Sequence, residues 1–358
     1  MSVQDLFMYV YKRKPTKEEA NQYAHLEGEE ALHKAFADYI ISSPPVFPPA
    51  ESPQVFVPRD AGFFSVFNFL MGLLYKGTRA YPYYNRQAFM IRHGGVNQHF
   101  CYWTNKENAW MDYFEPLDDE HEKAAQGSSS AIVSGEDAPC EFRGPFFIKL
   151  LMQHQDLWTL WRHRVHNVYD RHIRVRDKIQ QRVNRFWKAN VTDSHKYYVI
   201  GVHYRHPSHF VEGGKIYFAD YFRKIEEILR KIPDTDTFVK IFIASDTDLG
   251  IMAFTHRFKW VAPFYMHDVE RCSIDNFLDW AHARGAADNM DFINGVGYQY
   301  HYTKCAAKDF SSRHGEDVLC EALALSRCDC VVHTVSNVPL AVSYMNPNVE
   351  MHPIMAKT

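Results

Sequence analysis

Residues 197–337 constrain the fold more than any other part of the chain, because apolar runs of strand length alternate there with amphipathic helical stretches. Tyr197–Tyr204 reads as a strand, Phe218–Ile232 as a helix and Phe238–Asp246 as a second strand ending in a carboxylate. A helix starting near Thr247, a strand over Phe258–Phe264, a helix from Glu316 to about Ser326 and a strand from Cys330 continue the series. Strands alternating with helices at this spacing specify a parallel, doubly wound sheet. The carboxyl ends of its strands lie along one edge, where open α/β folds bind ligands. Three strands end there in polar residues: His203 and Arg205, Ser245 and Asp246, and Thr334, Ser336 and Asn337. The first is the most informative, since Tyr198-Val-Ile-Gly-Val-His-Tyr-Arg-His206 is an apolar run that stops by presenting an arginine between two histidines. Such an edge delivers cations, and an anionic ligand such as a phosphate is expected on it.

Upstream the pattern is less regular. Leu6, Phe7, Val10 and Tyr11 recur at helical spacing, and Thr16 with Glu19 forms a capping-box pattern for a second helix. The proline-rich stretch Ser43–Ala50 closes this small helical unit, residues 1–50. Residues 51–190 read as an α/β unit with long helices. It opens with Val55-Phe-Val, continues through an apolar helix from Phe63 to about Leu74, and carries a loop-like segment at 126–135. From Phe147 to Trp187 the pattern is helical almost throughout, with Val168, Val175, Ile179, Val183 and Phe186 on one face and arginines, Arg182 among them, on the others. Residues 191–358 form the Rossmann-like unit.

With 358 residues, 46% hydrophobic and 15% aromatic, the chain has ample material for sizeable cores. Lys and Arg total 40 against 43 Asp and Glu, a net charge of −3, so any anion site is local and no nucleic-acid partner is expected. No segment reaches the roughly 18 apolar residues of a membrane span. Seven irregularly spaced cysteines do not form a disulfide framework, and the reading is of a soluble cytoplasmic protein with reduced thiols.

Ile200-Gly-Val-His-Tyr-Arg-His206, Ile243-Ala-Ser-Asp246 and Gly315–Asp329 with His333-Thr-Val-Ser-Asn337 resemble, in order and spacing, three blocks shared by α1,6-fucosyltransferases. That group includes the bacterial nodulation and animal core enzymes, with the protein O-fucosyltransferases as distant relatives. The resemblance covers about residues 160–350. It implies a GT-B-like architecture, two α/β domains facing across a cleft, with the nucleotide sugar on the carboxyl-terminal one. It further implies inverting, metal-independent transfer of a sugar, fucose from GDP-fucose, onto a glycan acceptor, with no cofactor.

The resemblance also assigns roles. Arg205 falls at the family's essential arginine, and without a metal a guanidinium must hold the departing diphosphate. His203 stands where the family uses a histidine against the nucleotide. Glu321 aligns with a carboxylate that reads guanine, although the family examples carry aspartate there; a carboxylate accepts both N1–H and the exocyclic amine. His206, Asp246, Ser336 and Asn337 complete the donor-binding set. Glu212 lies one residue from the place of a family glutamate and is the candidate general base, with His206 and Asp246 as alternatives. Asp246-Thr-Asp248 has the form of a metal motif but falls in a block used without metal. His163, His166 and His172 do not place a ligand pair on one helical face with a supporting carboxylate, so no metal is expected. Two alternatives stay open: a transferase using another GDP- or UDP-sugar, and a noncatalytic glycan-binding protein holding sugars on Tyr81, Tyr83, Tyr84, Trp103, Trp110 and Tyr113.

Overall fold

The computed structural model describes residues 14–26, 28–42, 54–57, 62–75, 80–82, 108–119, 121, 132–134, 145–192, 196–205, 216–232, 238–271 and 312–355. The Thr16–Glu19 capping box is made, the hydroxyl accepting from Glu19 N–H at 3.2 Å and the carboxylate from Thr16 N–H at 2.8 Å. It opens α1 (Lys17–Tyr23), followed by α2 (Gly28–Ser42), β1 (Gln54–Val57), α3 (Phe63–Tyr75), β2 (Ala80–Pro82) and β3 (Ile132–Ser134). Next come α4 (Pro145–Gln153), α5 (Gln155–His172), α6 (Asp177–Asn190), β4 (Tyr197–Tyr204), α7 (Phe218–Leu229) and β5 (Phe238–Ser245). The chain continues with α8 (Asp248–Arg257), β6 (Pro263–Phe264), α9 (Ser312–Leu325), β7 (Cys330–His333), α10 (Asn337–Met345) and β8 (Glu350–Pro353).

Two parallel sheets result. The smaller has the order β2-β1-β3, and the larger β6-β5-β4-β7-β8. In the larger, β4 pairs with β5 from Tyr197↔Phe238 to Tyr204↔Ser245 and with β7 from Ile200↔Cys330 to His333↔His203. Strands β5 and β6 therefore lie to one side of β4 and β7 and β8 to the other. The crevice between β4 and β7 is the point where the winding reverses.

Both faces of this sheet are covered, which explains why β4 is apolar without alternation. Ile200, Val202, Tyr204, Ile241 and Ile243 share a core with Tyr221, Ile225 and Phe254. Phe242, Ala244 and Val331 join a second core with Leu319 and Leu325 that continues through α3 and α5 as far as Tyr23. Every residue of α3 except Ser65 is buried, as befits a helix that is apolar all round. Burying each of Phe64, Phe67 and Leu70 contributes about 1.5–3 kcal/mol. Polar contacts set the register of this packing. Trp158 Nε1 donates to Ser343 Oγ at 3.1 Å, Trp161 Nε1 to Tyr344 Oη at 2.8 Å, and Asn68 Nδ2 to Asn337 O at 2.9 Å.

The structure departs from the sequence reading in several places. The apolar run 258–264 is a strand only at Pro263–Phe264; a 3-10 turn occupies Lys259–Val261, and Ala262 takes φ 47°, which ends any extended pairing before it. The helix expected from Glu316 starts at Ser312. Residues 132–134 of the expected loop pair with β1 as β3. Helix α10 and strand β8 were not foreseen. Arg182 is buried rather than solvated, with Asp317 and Asp268 carboxylates at 2.8 and 2.9 Å and Glu316 at 3.2 Å. Trp110 and Tyr113 are buried core residues: Tyr113 meets Phe63 edge-on at 5.0 Å, and Trp110 stacks on Phe114 at 4.2 Å. They offer no surface to a sugar; the side chains of Tyr81, Tyr83, Tyr84 and Trp103 lie outside the described residues. The helix read at Leu6–Tyr11, the linker 43–50 and four of the cysteines also lie outside them.

Tyr113 is where the amino-terminal half meets α9, and the contact leaves no room for a side chain at Gly315. A Cβ there would stand 2.3 Å from Tyr113 Oη and 2.4 Å from its Cζ. Gly315→Ala is expected to destabilise the fold by about 1–3 kcal/mol, read as a lower urea midpoint, with the loss recovered when Tyr113 is trimmed to leucine in the same chain.

Candidate functional site

The carboxyl ends of β4 and β5 and the facing side of α9 enclose a cleft of about 650 Å³ counted out to its open mouth. His203, Arg205, Asp246, His314, Glu321 and Val338 are among its walls.

The strand ends are held rigidly. Tyr204 stacks on Phe218 at 4.6 Å, and with His203 and Arg205 on either side of it lines the cleft. Tyr221 Oη donates to the His203 carbonyl at 3.2 Å. At the end of β5 the Ser245 hydroxyl accepts from Thr247 N–H at 3.1 Å, and Thr247 Oγ1 caps α8 by accepting from Gly250 N–H at 3.2 Å. Helix α8 approaches so closely that a Cβ on Gly250 would lie 2.3 Å from Ser245 Oγ.

Arg205 Nη1 lies 3.5 Å from Asp246 Oδ2, with both side chains largely shielded. This is ion-pair range without the short geometry of a tight charge-assisted bond. His203 is buried, and burial, aided by the nearby Arg205 guanidinium, pushes its pKa well below 6.5. It is thus a neutral imidazole at neutral pH, and its Nδ1 has no hydrogen-bond partner among the described residues. Cross-strand from it, burial also lowers His333, to about 3.

Glu321 reaches the cleft from α9, and one of its oxygens accepts from Arg271 Nη2. Burial pushes the carboxyl pKa up, and the Arg271 guanidinium paired with it opposes that shift. Arg271 is itself buried and binds three carbonyls: Ser245 at 3.1 Å, Met266 at 2.8 Å and Val269 at 3.2 Å. One guanidinium therefore ties the end of β5, the loop after β6 and α9 together. Sequence reading missed it, since its carboxylate partner lies 50 residues away and its own surroundings show no periodicity. The other acids of the cleft have partners as well, Asp317 pairing with Arg182 and Arg313 at 2.8 and 3.1 Å and Glu270 lying 3.8 Å from His314.

Ser336 and Asn337 lie beyond the end of β7. They start α10: Ser336 is the N-cap, its hydroxyl accepting from Val338 N–H at 3.4 Å, and Pro339 occupies the first turn, where its missing N–H costs nothing. Asn337 Oδ1 accepts from Asn68 Nδ2 at 3.1 Å. Val338, next in the chain, lines the cleft, so the amino end of this helix opens onto the cleft wall, where its dipole favours negative charge. Among the sequence-derived candidates the structure thus brings His203, Arg205, Asp246 and Glu321 into one cleft, whereas Ser336 and Asn337 precede Val338, which lines it. His206 and Glu212 lie outside the described residues.

No protein-family model matches the sequence. No curated protein sequence matches it either. Similar solved structures include fucosyltransferase NodZ from Bradyrhizobium, at 14% identity over 84% of this chain and 94% of that one with a TM-score of 0.41. An Arabidopsis thaliana FUT1 mutant in complex with GDP is 11% identical over 100% of this chain and 85% of that one, TM-score 0.43. POFUT1 in its apo form is 10% identical over 89% and 78%, TM-score 0.34. The chain is similar to fucosyltransferases, the group its sequence blocks resemble, but at TM-scores below 0.5 the case for a function rests on the cleft.

Two outcomes test the site's electrostatics. Arg271→Met strands the buried Glu321 carboxylate and is expected to cost about 3–5 kcal/mol of stability, measured by urea unfolding. His333 binds a proton in the unfolded chain near pH 6.5 but in the native state only near 3. Between those values the unfolded state holds more protons, so stability falls as pH drops through that window, by up to about 1.4 kcal/mol per pH unit. Urea midpoints from pH 7 to 4 should decline less steeply in His333→Gln than in the parent.

Proposed function

We propose that the chain is an inverting, metal-independent glycosyltransferase that moves a sugar, fucose from GDP-fucose, onto a glycan acceptor. The observation that carries this reading is the conjunction, at the reversal point of the large sheet, of Arg205 on the β4 edge with the amino end of α10. In this reading the diphosphate lies along that edge. As the bond to the sugar breaks, charge accumulates on the departing phosphate, and Arg205 stabilises it through a two-pronged contact that a single ammonium does not reproduce. Asp246, 3.5 Å from Arg205, orients the guanidinium. His203 offers a neutral hydrogen-bonding atom whose burial keeps it from competing as a second cation. Ser336 and Asn337 present the helix amino end to the phosphates.

Glu321 is assigned to the base. Held on one side by Arg271, its carboxylate is fixed in place to accept from guanine N1–H and the exocyclic amine, a pairing that uracil cannot reproduce. Glu212 is the proposed general base, with His206 the alternative; Asp246, facing Arg205, is less suited to that role. No helix among the described residues is long and apolar enough to cross a membrane. Cys320, Cys328 and Cys330 are buried free thiols, which fits the cytoplasmic setting proposed for the protein. A noncatalytic sugar-binding role is less favoured, because Trp110 and Tyr113, two of the aromatics it invokes, are core residues.

The test is a panel of GDP- and UDP-sugars assayed for nucleotide release and transfer. GDP-fucose is expected to be turned over, and Arg205→Lys to lower kcat by about 10²–10³ with an unchanged circular dichroism spectrum. Near-normal turnover by that variant overturns the role of Arg205, and release from UDP-sugars alone overturns the donor assignment.

A further inference from the structure

One cluster of metal-ligating side chains plays no part in the cleft. His33 on α2, His154 between α4 and α5, and Asp156 in the first turn of α5 bring one ligand atom each to within 4.8 Å of one another. His33 Nε2 lies 3.1 Å from Asp156 Oδ2, and the rings of His33 and His154 are 4.4 Å apart at 45°. Two imidazoles and a carboxylate form a donor set suited to zinc, with a water completing a tetrahedron. At metal–ligand distances of about 2.0–2.2 Å the edge of such a tetrahedron is about 3.3–3.5 Å. The His33–Asp156 spacing is already close to that edge, and side-chain rotation draws in the third donor.

The backbone supports the arrangement. His154 has φ −120° and ψ 86°, outside the helical region, so it interrupts the two helices and its ring meets α2 rather than following either helix face. His33 lies 123 residues from Asp156, so the group cannot be read from a local motif although His154 and Asp156 are two residues apart. Two imidazoles at this distance repel each other when both are protonated, whereas neutral rings can share a single cation. We propose that His33, His154 and Asp156 bind one divalent cation of the zinc class, clipping α2 to the junction of α4 and α5. The site would be structural: it would couple the order of the amino-terminal helices to metal, as metal binding does wherever the ligands converge only in the folded chain.

The test uses the full chain, freed of metal with a chelator and titrated with Zn²⁺ by calorimetry. Stoichiometric binding with a Kd of about 1 µM or tighter and a rise in Tm are expected. His33→Gln, at a partly exposed helix position, and Asp156→Asn should each weaken binding by at least about tenfold, with circular dichroism unchanged. Co²⁺ should give the visible absorption of a tetrahedral site in the parent and lose it in both variants. Equal Zn²⁺ binding by parent and variants, or no binding tighter than about 1 mM, overturns the proposal, and an ordinary His–Asp ion pair then accounts for the contact. Donor turnover is read separately, so a failure here leaves the reading of the cleft intact.

Discussion

The position of β4 at the centre of the large sheet is the constraint on which the rest depends. Because β5 and β7 pair with its two sides, successive strands leave in opposite directions. The β4 edge between them is left open for side chains to meet a ligand. Everything chemical in the cleft follows from what stands at that edge. Tyr204 anchors the strand in the core beneath; His203 and Arg205, on either side of it, reach the cleft. A one-residue slip in pairing would turn the strand's side chains to the opposite faces of the sheet. Apolar packing on both faces prevents it.

A second layer of control comes from buried charge. Arg271 and Arg182 are paired ions inside the protein, each holding α9 against the loop after β6. Such pairs contribute little net stability, but removing one partner is costly, so they hold one arrangement against its alternatives. Here they fix the wall that carries Glu321. The carboxylate proposed to read the nucleobase is rigid because its helix is pinned at both Glu321 and Asp317.

What was legible in the sequence follows from how local its causes are. The bounds of β4 could be read directly, since an eight-residue apolar run between polar flanks has few alternatives. Helix α3 was equally plain. The run 258–264 was misread because its apolar residues bury themselves in a 3-10 turn, and composition alone does not separate the two. Ser336-Asn337-Val-Pro was read only as a polar strand end, although a serine cap followed by proline in the first turn is also a helix start. Strand β8, short and ending in Pro353, sits at the sheet edge, where proline is tolerated but gives no strand signal. Within the site, His203, Arg205, Asp246 and Glu321 were visible as residues at ends of elements. Arg271 and the His33–His154–Asp156 group were not, because each acquires meaning only from partners distant in sequence. Trp110 and Tyr113 show the converse error: aromatic character suggested a binding surface, but Phe63 and Phe114 had already claimed them for the interior.

Asn68 is the single polar buried residue of α3, and its amide grips both the backbone and the side chain of Asn337. An amide in so apolar a helix would be expensive unless those bonds were kept. The grip makes α3 a lever on the cleft: the helix cannot slide along its axis without dragging the first residue of α10 with it or leaving the amide stranded in hydrocarbon. The two halves of the chain are therefore coupled at this point, and the position of the helix end beside the cleft is set as much by residue 68 as by the sheet that carries it.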